Sequence, residues 1–224
     1  LATFLQTVRD EPINGLAVSL PHKKAITPLL DRLTPTAQAI GAVNTVYWDD
    51  EQLCGDNTDA PGFWQAVTSA ETPQPVRSAL LLGAGGTARA ALFALREQGI
   101  TVTIANRTPA KAEALAAEFG AQAVALEAVS AAEFDLVANL TSVGLQSDAS
   151  PVTPGFWQDF AGIAFDAVYT PRMTRFLTDA QTAGGTIISG DAMLLHQGAR
   201  QFEIWTGKTA PLEVMRMALQ KALA

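Results

Sequence analysis

The chain of 224 residues contains a single cysteine, Cys54, and only two histidines, His22 and His196. A lone cysteine excludes an internal disulfide, and the histidines are too far apart to have the spacing of a metal site. No apolar run has the length of a membrane span or resembles a signal segment. These absences predict a cytoplasmic protein with no bound metal and no contact with a membrane.

Charged residues are few, and the basic ones are in the minority. They make up 17% of the chain, with 15 lysines and arginines against 22 aspartates and glutamates, for a formal net charge of -7 at pH 7. Nucleic acids and anionic membranes both favour a basic protein surface, so the charge balance argues against either partner. The hydrophobic content of 48% is typical of a folded globular protein, and 224 residues are enough for one large or two small domains.

The first 70 residues alternate between helical and extended patterns. Helices are predicted over 2–10, 21–33, 34–41 and 61–70, with Pro21 in the first turn of the second helix. A short strand is predicted over 15–20, and a hairpin over 43–48 and 52–57. Two prolines within residues 72–76 interrupt both helix and strand, which predicts a boundary there.

The remainder of the chain contains six short apolar runs rich in β-branched residues, with helical stretches at 87–98, 109–119 and 174–183 between several of them. Strands that are buried on both faces have this composition, and their alternation with helices predicts a parallel, doubly wound sheet. The runs are 78–83, 101–107, 121–126, 134–141, 164–169 and 186–190. From Asp191 to Ala224 the pattern predicts two helices separated near Gly207.

A glycine cluster joins the first of these runs to the helical stretch that follows it. The segment LLLGAGGTARAAL, residues 80–92, has the order of strand, tight turn and helix N-terminus that binds a dinucleotide pyrophosphate. A small residue in the third position of the fingerprint lets helix and strand pack closely. The alternative is a tight turn without a ligand. The predicted cofactor-binding residues are Gly83, Ala84, Gly85, Gly86 and Ala88.

The end of the second strand indicates which dinucleotide is bound. NAD sites usually have an acidic residue there, but this chain has Asn106, Arg107 and Thr108, with Lys111 one turn later. A carboxylate would repel a 2′-phosphate, whereas an arginine and a hydroxyl would bind it. The sequence therefore predicts NADP. The alternative is that Arg107 is a solvated residue at the start of a helix.

Eight segments extend from about residue 15 to residue 207, in the order LAVSLPHKKA, GAVNT, GDNTDAPGF, LLLGAGGTARA, ANRT, NLTSVGL, DAVYTPRMTRFL and SGDAMLLHQGARQFEIWTG. In this order and spacing they resemble the shikimate dehydrogenase family, the NADP-dependent oxidoreductases of aromatic amino-acid biosynthesis. The resemblance implies reversible reduction of 3-dehydroshikimate to shikimate by hydride transfer.

The same resemblance implies an α/β fold with a Rossmann-type doubly wound parallel sheet and a smaller α/β substrate-binding domain. Residues 1–76 would form the substrate-binding domain, 77–190 the NADP-binding domain, and the helices of 191–224 would return to the substrate domain. The implied partner is the small-molecule substrate, and the implied assembly is a monomer or a homodimer.

Residue by residue, the resemblance assigns Lys23 as the catalytic lysine and Asp59 as its paired aspartate. Neighbouring Lys24 matches no role of the family and is expected to be solvated. The implied substrate contacts are Ser19, Asn44, Tyr169 and Gln197. On the nicotinamide side the implied residues are Thr141, Ser142, Gly190 and Met193, and Thr87 with Ala88 is implied to line the pyrophosphate turn.

The chemistry of alcohol oxidation is consistent with this pair. It requires a hydride acceptor and a group that takes the hydroxyl proton as the carbonyl forms. A lysine can relay that proton, and a nearby carboxylate orients the lysine and stabilises its charge. The alternatives are a surface helix lysine at Lys23 and a helix N-cap at Asp59.

Two departures from the family pattern bear on the substrate. Ala17 stands where the family has asparagine, and Ser19 where it has threonine. The family's N-terminal strand, whose two serines bind the substrate carboxylate, does not occur in the printed chain, which we expect to be truncated there. A quinate or related cyclitol-acid dehydrogenase, and a non-catalytic dinucleotide-binding homologue, remain as alternative functions.

Overall fold

The computed structural model describes residues 1–70 and 75–223, which form two β-sheets joined by helices. The predicted boundary at 72–76 lies, over residues 72–74, outside the described residues. Within the described part of the chain, no helix is both long and apolar enough to cross a membrane.

The smaller sheet is built from the first 56 residues and has the strand order β1-β3-β4-β2. Its strands are β1 (Gly15–Ala17), β2 (Arg32–Leu33), β3 (Thr45–Asp49) and β4 (Gln52–Asp56), and the hairpin of β3 and β4 is the predicted one. Two helices, α1 (Ala2–Asp10) and α2 (Pro35–Ile40), accompany it. Leu5, Val8, Ile26, Val46 and Leu53 are among the buried side chains of its apolar core.

Residues 21–33 do not form the predicted helix. The chain instead forms successive turns, a 3₁₀-helix at Thr27–Leu29 and then β2. In the first of these turns the His22 N–H donates to the Ser19 carbonyl at 2.9 Å. Pro28 lies within this segment, and a proline lacks the N–H group and the space that a continuous α-helix requires. The turns bring Lys23 inward while Lys24 stays exposed.

The larger sheet has six parallel strands in the order β10-β9-β8-β5-β6-β7, as the alternating pattern predicts. The strands are β5 (Ser78–Leu82), β6 (Thr101–Ala105), β7 (Gln122–Val124), β8 (Leu136–Asn139), β9 (Ile163–Asp166) and β10 (Thr186–Ile188). Three helices that follow its strands are α4 (Gly86–Glu97), α5 (Pro109–Phe119) and α6 (Arg175–Thr182). The strand order reverses beside β5, and ligands of doubly wound sheets bind in the crevice at such a point.

Three further helices complete the fold: α3 (Asp59–Thr68), α7 (Gly190–Thr206) and α8 (Leu212–Leu223). Helix α7 begins directly after β10, and its far end reaches the smaller sheet, where Trp205 Nε1 donates to the Val46 carbonyl at 3.0 Å. It crosses α3 closely, since a β-carbon added to Gly62 would lie 2.7 Å from Gln197 Cβ. These helices therefore bring the polar residues of both sheets to one cleft.

Candidate active site

Lys23 and Asp59 form an ion pair in the cleft between the two sheets. Lys23 Nζ donates to Asp59 Oδ2 at 2.5 Å, and the two side chains are only 12% and 5% exposed. Lys23 is supplied by the turns after β1, and Asp59 by the first residue of α3. The N-cap of α3 is Thr58, so the alternative that Asp59 is the N-cap of this helix is wrong. Its carboxylate instead holds the lysine.

Asn44 holds the other oxygen of the Asp59 carboxylate. Its Nδ2 donates to Asp59 Oδ1 and to Thr58 Oγ1, both at 2.9 Å, and lies 3.3 Å from Gln197 Oε1. Its own Oδ1 accepts the Thr58 N–H at 2.7 Å. The amide plane is therefore fixed from both ends, and a buried polar cluster surrounds the ion pair.

All six residues predicted for catalysis and substrate binding line one cavity of about 290 Å³. Three of the predicted cofactor residues, Thr87, Gly190 and Met193, line the same cavity. The six are Ser19, Lys23, Asn44, Asp59, Tyr169 and Gln197. The cavity thus combines hydroxyl, amide, amine and carboxylate groups with the start of the helix that follows the glycine cluster.

Sequence reasoning missed Gln201, which also lines this cavity and is buried. Its Nε2 donates to the Asn44 carbonyl and to Thr45 Oγ1, both at 3.1 Å. It lies one helical turn after Gln197 on α7, and this spacing on a helix that already carries a predicted site residue is the signal that could have identified it.

The glycine turn between β5 and α4 has the geometry of a phosphate-binding turn. Gly83 has φ +120°, a conformation that favours glycine, and a β-carbon on Gly85 would have no atom within 4 Å. Gly85 is the N-cap of α4 and offers no side chain to the first amides of that helix. Those amides and the helix dipole can hold an anion there. A dinucleotide pyrophosphate therefore fits this turn.

A second cavity, of about 510 Å³, lies beside this turn at the carboxyl ends of β5, β6 and β8. The predicted residues that line it are Gly83, Asn106, Arg107, Thr141 and Ser142. Thr108 and Lys111 are exposed and line neither of the two cavities. Four residues of the turn also line neither cavity, although Gly86 and Ala88 are buried: Ala84, Gly85, Gly86 and Ala88. Asn106 Nδ2 donates to the Thr108 carbonyl at 2.9 Å, which ties these residues into one loop.

Asp166, at the end of β9, ties together two loops that line the cavities. Its Oδ1 accepts Asn139 Nδ2 and the Val168 N–H, both at 2.9 Å, and its Oδ2 accepts Thr174 Oγ1 at 2.6 Å. Asn139 Oδ1 in turn accepts Thr141 Oγ1 at 2.7 Å. Burial raises the pKa of Asp166 to about 6, although these hydrogen bonds oppose that rise.

Three family models match the chain. The shikimate dehydrogenase substrate binding domain matches residues 1–46, shikimate / quinate 5-dehydrogenase matches residues 69–145, and the shikimate 5′-dehydrogenase C-terminal domain matches residues 192–220. The matches follow the same order as the sequence segments that resemble this family.

Individual relatives agree with these models. A shikimate dehydrogenase (NADP(+)) of Oleidesulfovibrio alaskensis is 44% identical over 229 residues, covering 100% of this chain and 81% of the relative. The crystal structure of shikimate 5-dehydrogenase from Thermus thermophilus in complex with NADP(H) and shikimate has a TM-score of 0.92 at 45% identity, covering 100% of this chain and 84% of that one.

A quinate dehydrogenase from Corynebacterium glutamicum in complex with NAD is more distant, with a TM-score of 0.89 at 28% identity over 99% of this chain and 82% of that one. The motifs, the two-sheet fold and the identity to curated relatives lead to one conclusion: the chain belongs to the shikimate dehydrogenase family.

Proposed function

We propose that the chain is an NADP-dependent oxidoreductase that reversibly reduces 3-dehydroshikimate to shikimate. The observation that carries this proposal is the ion pair of Lys23 and Asp59, which lies in a cavity lined by hydroxyl and amide groups and beside the glycine turn. A β-carbon on Gly86 would lie 3.3 Å from Lys23 Cβ, so the proposed proton-transfer group packs directly against the proposed cofactor turn.

Lys23 is the proposed proton-transfer residue. When shikimate is oxidised, the hydride leaves the ring carbon, and Lys23 Nζ, as a neutral amine, takes the proton of the hydroxyl group. When 3-dehydroshikimate is reduced, the ammonium form of Lys23 returns a proton to the carbonyl oxygen. Asp59 orients Nζ and stabilises its charge, and Asn44 orients Asp59.

The remaining polar groups of the cavity are proposed to recognise the substrate. Ser19 and Tyr169 lie in two separate loops and Gln197 lies on α7, and the three converge on one cavity. Hydroxyl and amide groups suit a ring acid with several hydroxyls, and an analogue that lacks one of them leaves a polar group of the cavity without a partner. Such a cavity would therefore select both the substrate and its orientation.

NADP is proposed to bind along the second cavity, with its pyrophosphate at the glycine turn and its 2′-phosphate near Arg107. When bound, it supplies or accepts the hydride. Asn106 and Arg107 line this cavity at the end of β6, and no carboxylate stands in the sequence at that strand end. A guanidinium group forms charge-assisted hydrogen bonds with a phosphate. Its hydrogen bond to an uncharged 2′-hydroxyl is weaker.

We propose the domain division that was expected from the sequence. Residues 1–76 and 191–224 would bind the substrate, and residues 77–190 would bind NADP. The contact of Trp205 with Val46 supports the return of the last helices to the smaller sheet. A cytoplasmic location and a monomeric or homodimeric assembly complete the proposal.

The test is the initial rate of absorbance change of the nicotinamide with purified protein. Shikimate and quinate are each offered with NADP and with NAD, so four pairs are compared. The proposal requires the highest kcat/KM for shikimate with NADP. A preference for quinate would favour the cyclitol-acid alternative, and binding of NADP without turnover of either acid would favour a non-catalytic homologue.

A further inference from the structure

Arg89 is a buried arginine that lines neither of the two site cavities. It lies in the first turns of α4, directly behind the glycine turn, and its side chain is only 6% exposed. Burying a guanidinium costs free energy unless every donor finds a partner, so its contacts indicate what it holds.

The Arg89 guanidinium reaches two different parts of the molecule. Its Nε donates to the Ile40 carbonyl at 2.5 Å, at the last residue of α2 in the smaller sheet's half. Its Nη1 donates to Glu118 Oε2 at 2.6 Å and its Nη2 to Glu118 Oε1, on helix α5 of the larger sheet's half. The group also lies over the Phe119 ring, 5.2 Å from its centroid.

The end of α2 is shaped to receive this side chain. Gly41 ends the helix with φ +67°, and a β-carbon there would lie 2.7 Å from Arg89 Nη2. The carbonyls at a helix C-terminus carry partial negative charge and lack intrahelical partners, so a cation stabilises them. Arg89 thus attaches the smaller sheet's half to the helix that begins at the glycine turn.

The segment held by Arg89 also carries the proposed catalytic groups. Two residues after Gly41, the Val43 N–H donates to the Lys23 carbonyl at 2.8 Å, and Asn44 follows immediately. A shift of Ile40 and Gly41 would therefore move the Lys23 backbone and the Asn44 amide together. On its other side, Lys23 packs against Gly86 of the glycine turn.

We propose that Arg89 is a positioning residue that sets the distance between the glycine turn and the ion pair of Lys23 and Asp59. The inference rests on the proposed function, in which hydride and proton leave the same carbon–oxygen unit of the substrate. A planar guanidinium donates in two fixed directions at once, to Ile40 and to Glu118, which the single ammonium of a lysine does not reproduce.

The variant Arg89→Lys keeps the positive charge and removes the guanidinium that donates in two directions. The variant Glu118→Gln removes the carboxylate that accepts from Arg89, at a half-exposed position. Arg96→Lys is the matched control, because Arg96 is an exposed arginine near the end of the same helix. Each variant is made in the full-length protein. Steady-state kcat and KM, NADP affinity by fluorescence titration, and amide hydrogen exchange without cofactor are then measured.

We expect Arg89→Lys to lower kcat by about 10²-fold, the cost of a misplacement of about 1 Å between reacting groups. NADP affinity should stay within the range of the control. Without cofactor, the Val43 amide should exchange faster, while the amides of β5 keep their protection. Glu118→Gln should have a smaller effect of the same kind, and Arg96→Lys should have none.

Wild-type kcat in Arg89→Lys together with unchanged exchange at Val43 would overturn the inference. So would a lower yield of folded protein with an unchanged kcat per folded molecule, because that is the result of a purely structural role. A wild-type protein without turnover of shikimate would contradict the proposed function instead. The exchange of Val43 would then still decide whether Arg89 holds this segment.

Discussion

Asn44 Nδ2 donates to Asp59 Oδ1 at 2.9 Å, and this hydrogen bond is buried. It occupies the carboxylate oxygen that Lys23 does not contact, since Lys23 Nζ binds Oδ2. The asparagine cannot turn away easily, because its own Oδ1 accepts the Thr58 N–H. The direction of the Lys23 ammonium is therefore set by a residue that follows it by 21 positions in the sequence.

Replacing Asn44 with alanine should impair catalysis even though the ion pair is retained. The change leaves Asp59 Oδ1 and the Thr58 N–H without their partner, and a lost hydrogen bond to a charged group is worth about 1.5–3 kcal/mol, or roughly ten- to a hundred-fold in kcat/KM. Asn14→Ala, at an exposed asparagine, is the control and should leave the kinetics unchanged. Equal rates for the two variants would refute the orienting role.

Replacing Lys23 with methionine should remove proton transfer. We expect kcat to fall by about 10²–10⁴-fold, the usual contribution of a general acid or base, with NADP affinity nearly unchanged. Lys24→Met is the control because Lys24 is exposed and does not line the cavity. If the two variants lost activity equally, the assignment of the catalytic lysine would be wrong.

Arg107→Ala should reduce the preference for NADP over NAD. The loss of a charge-assisted hydrogen bond to the 2′-phosphate is expected to weaken NADP binding by roughly ten- to a hundred-fold and to leave NAD binding unchanged. Both affinities can be measured by fluorescence titration. Arg77→Ala serves as the control, since Arg77 precedes β5 at the amino ends of the strands and does not line the second cavity. Equal affinity of the unmodified protein for the two cofactors would contradict the assignment.

We expect Asp166 to make the free energy of unfolding fall as pH rises, whereas an ordinary ion-paired carboxylate makes it rise. Burial raises its pKa from the ordinary value of 3.8 to about 6 in the folded protein, so the folded state binds this proton more tightly than the unfolded chain. The stability that this proton contributes is complete below the pKa of the unfolded state, and it is lost as pH rises through the pKa of the folded state.

The variant Asp166→Asn removes this titration. The wild-type free energy of unfolding, relative to the variant, should therefore fall by about 2 kcal/mol between pH 4.5 and pH 7. Urea unfolding of both proteins at the two pH values measures the difference. A constant difference across that range would show that Asp166 does not titrate there.

Gly62→Ala tests the close crossing of α3 and α7. The added methyl group would lie 2.7 Å from Gln197 Cβ and 2.8 Å from its backbone nitrogen, so α7 must move. We expect a loss of about 1–3 kcal/mol in the free energy of unfolding, as is usual for overpacking, and a higher KM for the substrate. Gly155→Ala, where a β-carbon would meet no atom within 4 Å, should change neither quantity.

The sequence alone predicted the larger sheet and the cofactor turn, because their signals are local. Short β-branched runs that alternate with helical stretches specify parallel strands without reference to distant residues. The glycines from Gly83 to Gly86 need only their own strand and helix to form the turn. The resemblance to the family likewise pointed to Lys23 and Asp59, which the structure joins at 2.5 Å.

Only the tertiary structure decided which residues meet across the cleft. Residues 21–33, where the sequence predicted a helix, form turns, a 3₁₀-helix and the strand β2, and Lys23 is directed inward. Gln201 reaches Asn44 from 157 positions away, and Arg89 reaches Ile40 from 49 positions away. Periodicity and propensity describe neighbours within one element, whereas these contacts depend on how α4 and α7 pack against the smaller sheet. Partner choice over such separations follows from packing, which local patterns do not encode.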